Sequence, residues 1–110
     1  MIKVNDLMAL ERILLEIDAK HKFELEFCDA YKLYEYLKTV GKITSYAFLI
    51  QDEFNQKYND LEALKEYHNK INEGSVDFSM EDEIIKFIDK INEQLKDEEL
   101  NNLILNIGWW

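Results

Sequence analysis

Residues 27 to 58 read FCDAYKLYEYLKTVGKITSYAFLIQDEFNQKY, and the spacing of their apolar side chains indicates the fold class. Its apolar side chains recur every three or four positions, which is the period of one face of an α-helix. The residues on that face are Ala30, Leu33, Leu37, Val40, Ala47, Ile50, Phe54 and Tyr58. The pattern predicts one long helix that runs through Gly41, with or without a kink. The alternative is two helices hinged at Gly41, since a glycine inside a helix costs about 1 kcal/mol relative to alanine.

The chain before this stretch predicts a first helix that ends near Ala19. Asn5 is a favourable N-cap residue, and an apolar face follows it at helical spacing. That face consists of Leu7, Leu10, Leu14 and Ile17. Ile2 and Val4, ahead of the cap, form either a short edge strand or an N-terminal hydrophobic staple.

The chain after the long helix predicts two further helices. Asp60 can cap the first of them, and Gly74 is placed to end it in the left-handed conformation. Ser79, with Asp82 three residues later, resembles a capping box and starts the second. The apolar stripes are Leu61, Leu64, Tyr67 and Ile71 in the first helix, and Ile84, Phe87, Ile88, Ile91 and Leu95 in the second.

The predicted fold is therefore mainly α, with three to four amphipathic helices including one long helix. Short alternating segments at residues 2–4, 76–78 and 103–107 allow a small two- or three-stranded sheet. The chain contains no proline, three glycines, no internal repeat and no linker of low complexity. We expect residues 1–110 to form a single compact domain.

The charge of the chain is strongly acidic and unevenly distributed. Its formal net charge is −10, from 23 acidic and 13 basic side chains, and residues 75–110 hold nine of the acids but three of the bases. A field of this sign repels nucleic acid phosphates and anionic membrane surfaces. We therefore expect no direct contact with nucleic acid or membrane, but a protein partner with a basic surface.

The sequence offers no recognisable catalytic or metal-binding pattern. Cys28 has acidic neighbours, which do not favour a reactive thiolate, and we expect it to be buried or half-buried beside Phe27. His21 and His68 are too widely spaced for a zinc site. The protein is accordingly expected to be no enzyme and to need no cofactor. No segment resembles a signal peptide or a membrane span, and a single cysteine fits the reducing cytoplasm.

Three features remain as candidates for binding a partner. Tyr31 and Tyr34 share one face of the long helix while Tyr36 points elsewhere, so some of these tyrosines should face solvent. Trp109 and Trp110 end the chain, where tryptophans either pack on a core or contact a partner. The third feature is the set of acidic side chains in the last third, which we predict to be the contact surface. These acids are Asp77, Glu81, Asp82, Glu83, Asp89, Glu93, Asp97, Glu98 and Glu99.

Several segments of the chain carry a resemblance to a known group of proteins. They are the start from Ile2 to Leu7, the segments 30–33 and 53–58 of the long helix, and the segment 87–95 with the acidic link behind it. In this arrangement the chain resembles small phage-encoded helical accessory proteins of Gram-positive hosts. The resemblance implies a role in virion assembly or in blocking a host defence, in the host cytoplasm.

These observations lead to one expected function and two alternatives. We expect a non-enzymatic inhibitor of a host defence or nucleic-acid-handling protein, acting as a DNA mimic with carboxylates held on rigid helices. One alternative is a phage structural or virion-assembly protein that self-associates as a homo-oligomer through its helix faces, Trp109 and Trp110. The other is an antitoxin-like protein that neutralises a basic toxin.

Overall fold

The computed structural model describes residues 1–107 and confirms a mainly α fold. A short strand and α-helix come first, and a 3-10 turn, Lys22–Glu24, then leads into the longest helix. The remaining elements follow with short links. In order they are β1 (Ile2–Lys3), α1 (Val4–His21), α2 (Phe27–Lys57), α3 (Leu61–Glu73), β2 (Ser75–Val76), α4 (Glu81–Leu95) and α5 (Glu98–Ile107).

The long helix predicted from residues 27 to 58 is confirmed. α2 is one helix of 31 residues that continues through Gly41, so the alternative of two hinged helices is wrong. It ends where the backbone N–H of Tyr58 donates to the carbonyl of Phe54. Its buried residues fall on one side, as the apolar period requires. They include Leu33, Tyr36, Val40 and Ala47.

α1 lies at the centre of the fold, because it contacts all four of the other helices. Its inward face is fully buried, and α2, α4 and α5 each contribute a shorter apolar stripe. The largest of these buried side chains are Leu7, Leu10, Ile13, Leu14 and Ile17 of α1, Leu33 of α2, Ile84, Ile88 and Ile91 of α4, and Leu100 of α5. α3 differs, since none of its side chains is buried.

A two-stranded antiparallel sheet joins the start of the chain to the link between α3 and α4. Ile2 pairs with Val76 and Lys3 with Ser75. Lys3 also forms an ion pair with Glu73, with Nζ and Oε2 at 2.9 Å. The sheet confirms two of the predicted strands with different bounds: Val4 belongs to α1 rather than to the first strand, and the second covers residues 75 and 76 instead of 76–78.

Several predicted helix ends differ from the structure. Asn5 is not an N-cap, because α1 begins at Val4, whose N–H donates to the carbonyl of Gly74. Gly74 itself has φ −61°, so it ends α3 without the left-handed conformation. Ser79 does not cap α4 either, since Met80 precedes that helix and no side chain caps it. The cap at Asp60 is confirmed, with its carboxylate accepting from the N–H of Glu62.

The predicted third strand, residues 103–107, is wrong. These residues belong to α5, which begins at Glu98 and raises the number of helices to five among the described residues. Asp97 accepts hydrogen bonds from the N–H groups of Glu99 and Leu100, which is the geometry of an N-cap. Leu100 and Ile104 are then four residues apart on one buried helical face, while Leu105 is exposed.

Candidate protein-binding surface

The nine acidic residues of the last third occupy three separate places around α4. Asp77 lies in the link before the helix, and Glu81, Asp82 and Glu83 form its first turn. Asp89 and Glu93 follow along its length. The other three, Asp97, Glu98 and Glu99, lie at the junction between α4 and α5.

The first turn of α4 holds three consecutive carboxylates. The N-terminal end of a helix carries a partial positive charge, so acidic side chains in the first turn stabilise the helix. In α4 these acids are present although no side chain caps the helix. Glu83 also approaches Tyr36 of α2: burial, and secondarily the carboxylate of Glu83, raise the pKa of the Tyr36 hydroxyl. Asp82 has no such contact within the core and is exposed.

The outer face of α4 carries a row of charged residues opposite its buried stripe. In chain order the row is Asp82, Lys86, Asp89 and Glu93. Asp89 is half-buried and the other three are exposed. The three acids are seven and four residues apart, hence about 10 Å and about 6 Å apart along the helix axis. This spacing places them on one side of a rigid helix.

The junction acids, in contrast, make internal contacts. Asp97 Oδ2 lies 2.7 Å from Nε2 of His21, at the end of α1, and Glu24 Oε2 lies 2.9 Å from Nδ1 of the same ring. These two carboxylates raise the pKa of His21, and the imidazole in turn lowers the pKa of Asp97. The two carboxylates are acceptors that match the two N–H donors of a protonated imidazole. Through Asp97, this cluster attaches the start of α5 to the end of α1.

Glu99 takes part in a second contact between α1 and α5. The ammonium of Lys20 lies between the carboxylates of Glu16 and Glu99, and both raise the pKa of Lys20. The remaining acids differ from Asp97 and Glu99. Among residues 1–107, the carboxylates at the start of α4, on its outer face and at Glu98 form no ion pair, with the exception of Asp89, which has a contact of its own. The acids without an ion pair are Asp77, Glu81, Asp82, Glu83, Glu93 and Glu98.

The structure therefore does not gather all the predicted contact residues into one patch. Among the described residues, six of the nine carboxylates form no ion pair, whereas Asp97 and Glu99 contact His21 and Lys20 of α1. Trp109 and Trp110, the other two predicted contact residues, lie outside the described residues.

The exposed tyrosines predicted on the long helix are confirmed. Tyr31 and Tyr34 are exposed with ring centroids 6.5 Å apart, and Tyr36 is buried in an edge-to-face contact with Phe87. Sequence reasoning missed Phe23 and Phe27, which are almost completely exposed just before the tyrosines. Their alternation with Glu24 and Glu26 is the pattern of a strand with one buried face, and it concealed their exposure.

Two further observations concern the chemistry of the surface. Cys28 is exposed, so the expectation of a buried or half-buried cysteine is wrong. Within residues 1–107 there is no group of three or more His, Cys, Asp and Glu side chains arranged to hold a metal ion. None of the helices in that part of the chain is long and apolar enough to cross a membrane.

Comparison with known proteins adds no relative to these observations. We found no match to the chain among protein-family models, curated proteins or solved structures.

Proposed function

We propose that the protein is a non-enzymatic inhibitor that binds a basic surface on a host defence or nucleic-acid-handling protein. The observation that carries the proposal is the set of surface carboxylates at the start and along the outer face of α4. We define this acidic surface by Asp77, Glu81, Asp82, Glu83 and Glu93, with Asp89 beside it. The proposed setting is the cytoplasm of the cell that contains the partner.

The rigidity of α4 supports this surface as a mimic of nucleic acid. The phosphates of one strand of duplex DNA follow each other about 3.4 Å apart along the axis. The acids on the outer face of α4, about 6 Å and 10 Å apart, thus correspond to every second or third phosphate. Because Ile84, Phe87, Ile88 and Ile91 anchor the opposite face in the core, the helix holds these charges at fixed positions.

The charge of the whole protein favours the same partner. A net charge of −10 attracts a basic protein from a distance and accelerates association, an effect that weakens as salt screens it. The contacts of Asp97 and Glu99 restrict the proposed surface to α4, since those carboxylates already have partners in α1, the His21 ring and the Lys20 ammonium.

A capture experiment with a matched control tests the proposal. The immobilised protein is exposed to a bacterial lysate at low and moderate salt, with and without competing duplex DNA. The test variant is Asp77→Asn/Asp82→Asn/Glu93→Gln. The control variant, Asp52→Asn/Glu53→Gln/Glu62→Gln, removes the same charge from exposed positions near the end of α2 and in α3.

We expect the wild type and the control to retain a basic nucleic-acid-binding protein that duplex DNA displaces, and the test variant to lose it. Equal retention by both variants would refute the acidic surface. A retained basic toxin that DNA does not displace would support the antitoxin-like alternative. Retention of virion components or of the protein itself alone would support the alternative of a self-associating assembly protein.

A further inference from the structure

A strip of aromatic side chains is exposed at the start of α2, on the side of the molecule away from α4. It consists of Phe23 in the 3-10 turn and Phe27, Tyr31 and Tyr34 in the helix, and we call it the aromatic strip. Their side chains are exposed by 96%, 87%, 55% and 58%. The helical members are four and three residues apart and therefore share one face, opposite the buried Leu33 and Tyr36.

The area of the aromatic strip is large for a surface that only water covers. Each aromatic side chain offers about 150–250 Å², so the three helical members correspond to roughly 400 Å², and Phe23 adds roughly 200 Å². The largest apolar patch of a typical monomer is about 300–600 Å² and is often functional. A standard protein interface buries about 800 Å² on each partner, which the strip and its rim of long side chains can supply.

The charges around the aromatic strip differ from those of the protein as a whole. Three acids and two bases lie along the chain beside it, so that its local charge is close to −1 although the net charge of the chain is −10. These residues are Lys22, Glu24, Glu26, Glu35 and Lys38. A strongly basic partner gains nothing from such a rim. A second copy of this acidic chain, in contrast, can approach here without the repulsion that it meets elsewhere.

We propose that the aromatic strip is the interface of a homodimer in which the first halves of two α2 helices pack antiparallel. Phe27, Tyr31, Tyr34 and Lys38 are spaced 4, 3 and 4 residues apart, which is the seam of a two-helix coiled coil. In the antiparallel register, Tyr31 packs on the partner subunit's Tyr34, and Tyr34 on the partner subunit's Tyr31. Such an interface uses the same patch twice, as a two-fold dimer requires.

The ends of the seam decide between antiparallel and parallel packing. In the antiparallel register Lys38 covers the ring of the partner subunit's Phe27 and lies near the partner subunit's Glu26, which gives a cation–π contact and an ion pair. A parallel arrangement would instead place Lys38 against the partner subunit's Lys38, and Glu26 against the partner subunit's Glu26. Like charges at both ends would oppose it.

The dimer is compatible with the proposed inhibitor and goes beyond it. α4 contacts the other side of α2, through the 3.1 Å ion pair between Lys90 and Asp29 and the ring contact between Phe87 and Tyr36. Each dimer would therefore present two acidic surfaces, and two linked sites bind a two-fold partner far more tightly than one.

Sedimentation and light scattering of the full chain in reducing buffer test the interface. We expect a dimer whose dissociation constant rises at least tenfold in Tyr31→Glu and in Tyr34→Glu. Tyr46→Glu is the matched control, because Tyr46 is an equally exposed tyrosine of the same helix outside the strip. Circular dichroism of each variant shows whether the fold is retained.

The proposal is overturned by a monomeric wild type at millimolar concentration, by a dimer that survives both strip variants, or by an equal loss in Tyr46→Glu. The acidic-surface variant Asp77→Asn/Asp82→Asn/Glu93→Gln should remain dimeric, so failure of the inhibitor proposal and failure of the dimer are separable. Trp109→Ser/Trp110→Ser should also remain dimeric. A monomer there would assign self-association to the chain end and overturn the strip.

Disulfide trapping tests the register. Cys28→Ser/Tyr31→Cys, labelled with ¹⁵N, is mixed with unlabelled Cys28→Ser/Tyr34→Cys and oxidised, and the linked species are weighed. The antiparallel register predicts an excess of mixed dimers, because position 31 faces position 34. An excess of disulfide-linked dimers that contain two copies of the same variant would overturn the register. The absence of any linked dimer in the mixture would do the same.

Discussion

The side chain of His21 connects the end of α1 to the start of α5 through a 2.7 Å contact with Asp97. Both partners are largely shielded from solvent, and the second ring nitrogen lies beside Glu24. Asp97 also accepts from the first N–H groups of α5. One carboxylate therefore both caps a helix and attaches it to the central helix, so the docking of α5 should depend on pH.

The first prediction concerns this pH dependence. The carboxylates raise the folded-state pKa of His21 above 6.5, so its stabilisation is complete below pH 6.5 and is lost as the pH rises through the raised pKa. Asp97 has a lowered pKa, so its stabilisation is present above its ordinary value of 3.8 and is lost as the pH falls through the lowered pKa. We expect the urea midpoint to be highest between about pH 4 and pH 6.5.

The His21→Gln variant removes the pH dependence that His21 contributes above pH 6.5. The unfolding midpoint of the wild type should therefore fall relative to that of His21→Gln between pH 6 and pH 9. An NMR titration should give His21 a pKa above 6.5. Parallel stability profiles for His21→Gln and the wild type would contradict the role of this contact.

The second prediction compares two neighbouring leucines of α1. Leu14 is fully buried and Leu15 is 50% exposed. Leu14→Ala should lower the free energy of unfolding by about 3 kcal/mol, because it removes buried surface and leaves a cavity. Leu15→Ala should lower it by less than about 1 kcal/mol. Urea unfolding of both variants measures the difference, and equal losses would show that α1 does not face the core as described.

The third prediction uses the two glycines at α2 and α3. A Cβ atom added at Gly41 would meet only the Glu11 carboxylate, at 3.6 Å, so the space for it exists. Gly41→Ala should therefore stabilise the fold by about 0.5–1 kcal/mol through helix propensity. At Gly74 the added atom would lie 3.0 Å from the carbonyl oxygen of Ile71, and Gly74→Ala should destabilise the fold. Thermal unfolding of both variants tests the opposite signs.

The fourth prediction concerns the end of α4. Lys96 has φ 50° and ψ 41°, a left-handed conformation that glycine adopts without the steric cost of a Cβ atom. Lys96→Gly should raise the free energy of unfolding by about 0.5–1 kcal/mol. Lys86→Gly, in the middle of the same helix, should lower it by about 1 kcal/mol. A loss of stability at both positions would indicate that the Lys96 side chain contributes contacts of its own.

The sequence alone predicted the features that depend on the spacing of apolar residues or on capping within one helix. α2 and the buried stripe of α4 follow from apolar spacing alone, and Asp60 from the chemistry of capping. The predicted strand at residues 103–107 was wrong, because the segment from Leu100 to Ile107 contains a helical apolar pattern beside the alternating one. The cap at Asp97 and the packing of α5 on α1 favour the helix there.

The contact surface was harder to predict because exposure depends on the tertiary fold. All nine acids of the last third look alike in sequence, yet Asp97 and Glu99 pair with His21 and Lys20, more than seventy positions earlier. No local pattern shows that these segments meet. Phe23 and Phe27 were missed for the same reason, since apolar side chains are expected inside until the fold shows what covers them.

The central position of α1 has a consequence for synthesis of the chain. The ribosome releases this helix before the segments that cover it, and α5, which contacts its far end, follows some eighty residues later. α2 follows α1 directly and packs on it first. At about 5–20 residues per second the part of α1 that α5 covers stays uncovered for roughly 4–16 s. During that interval this part of the apolar face is available to chaperones or to aggregation, so expression should depend on how quickly translation reaches α5.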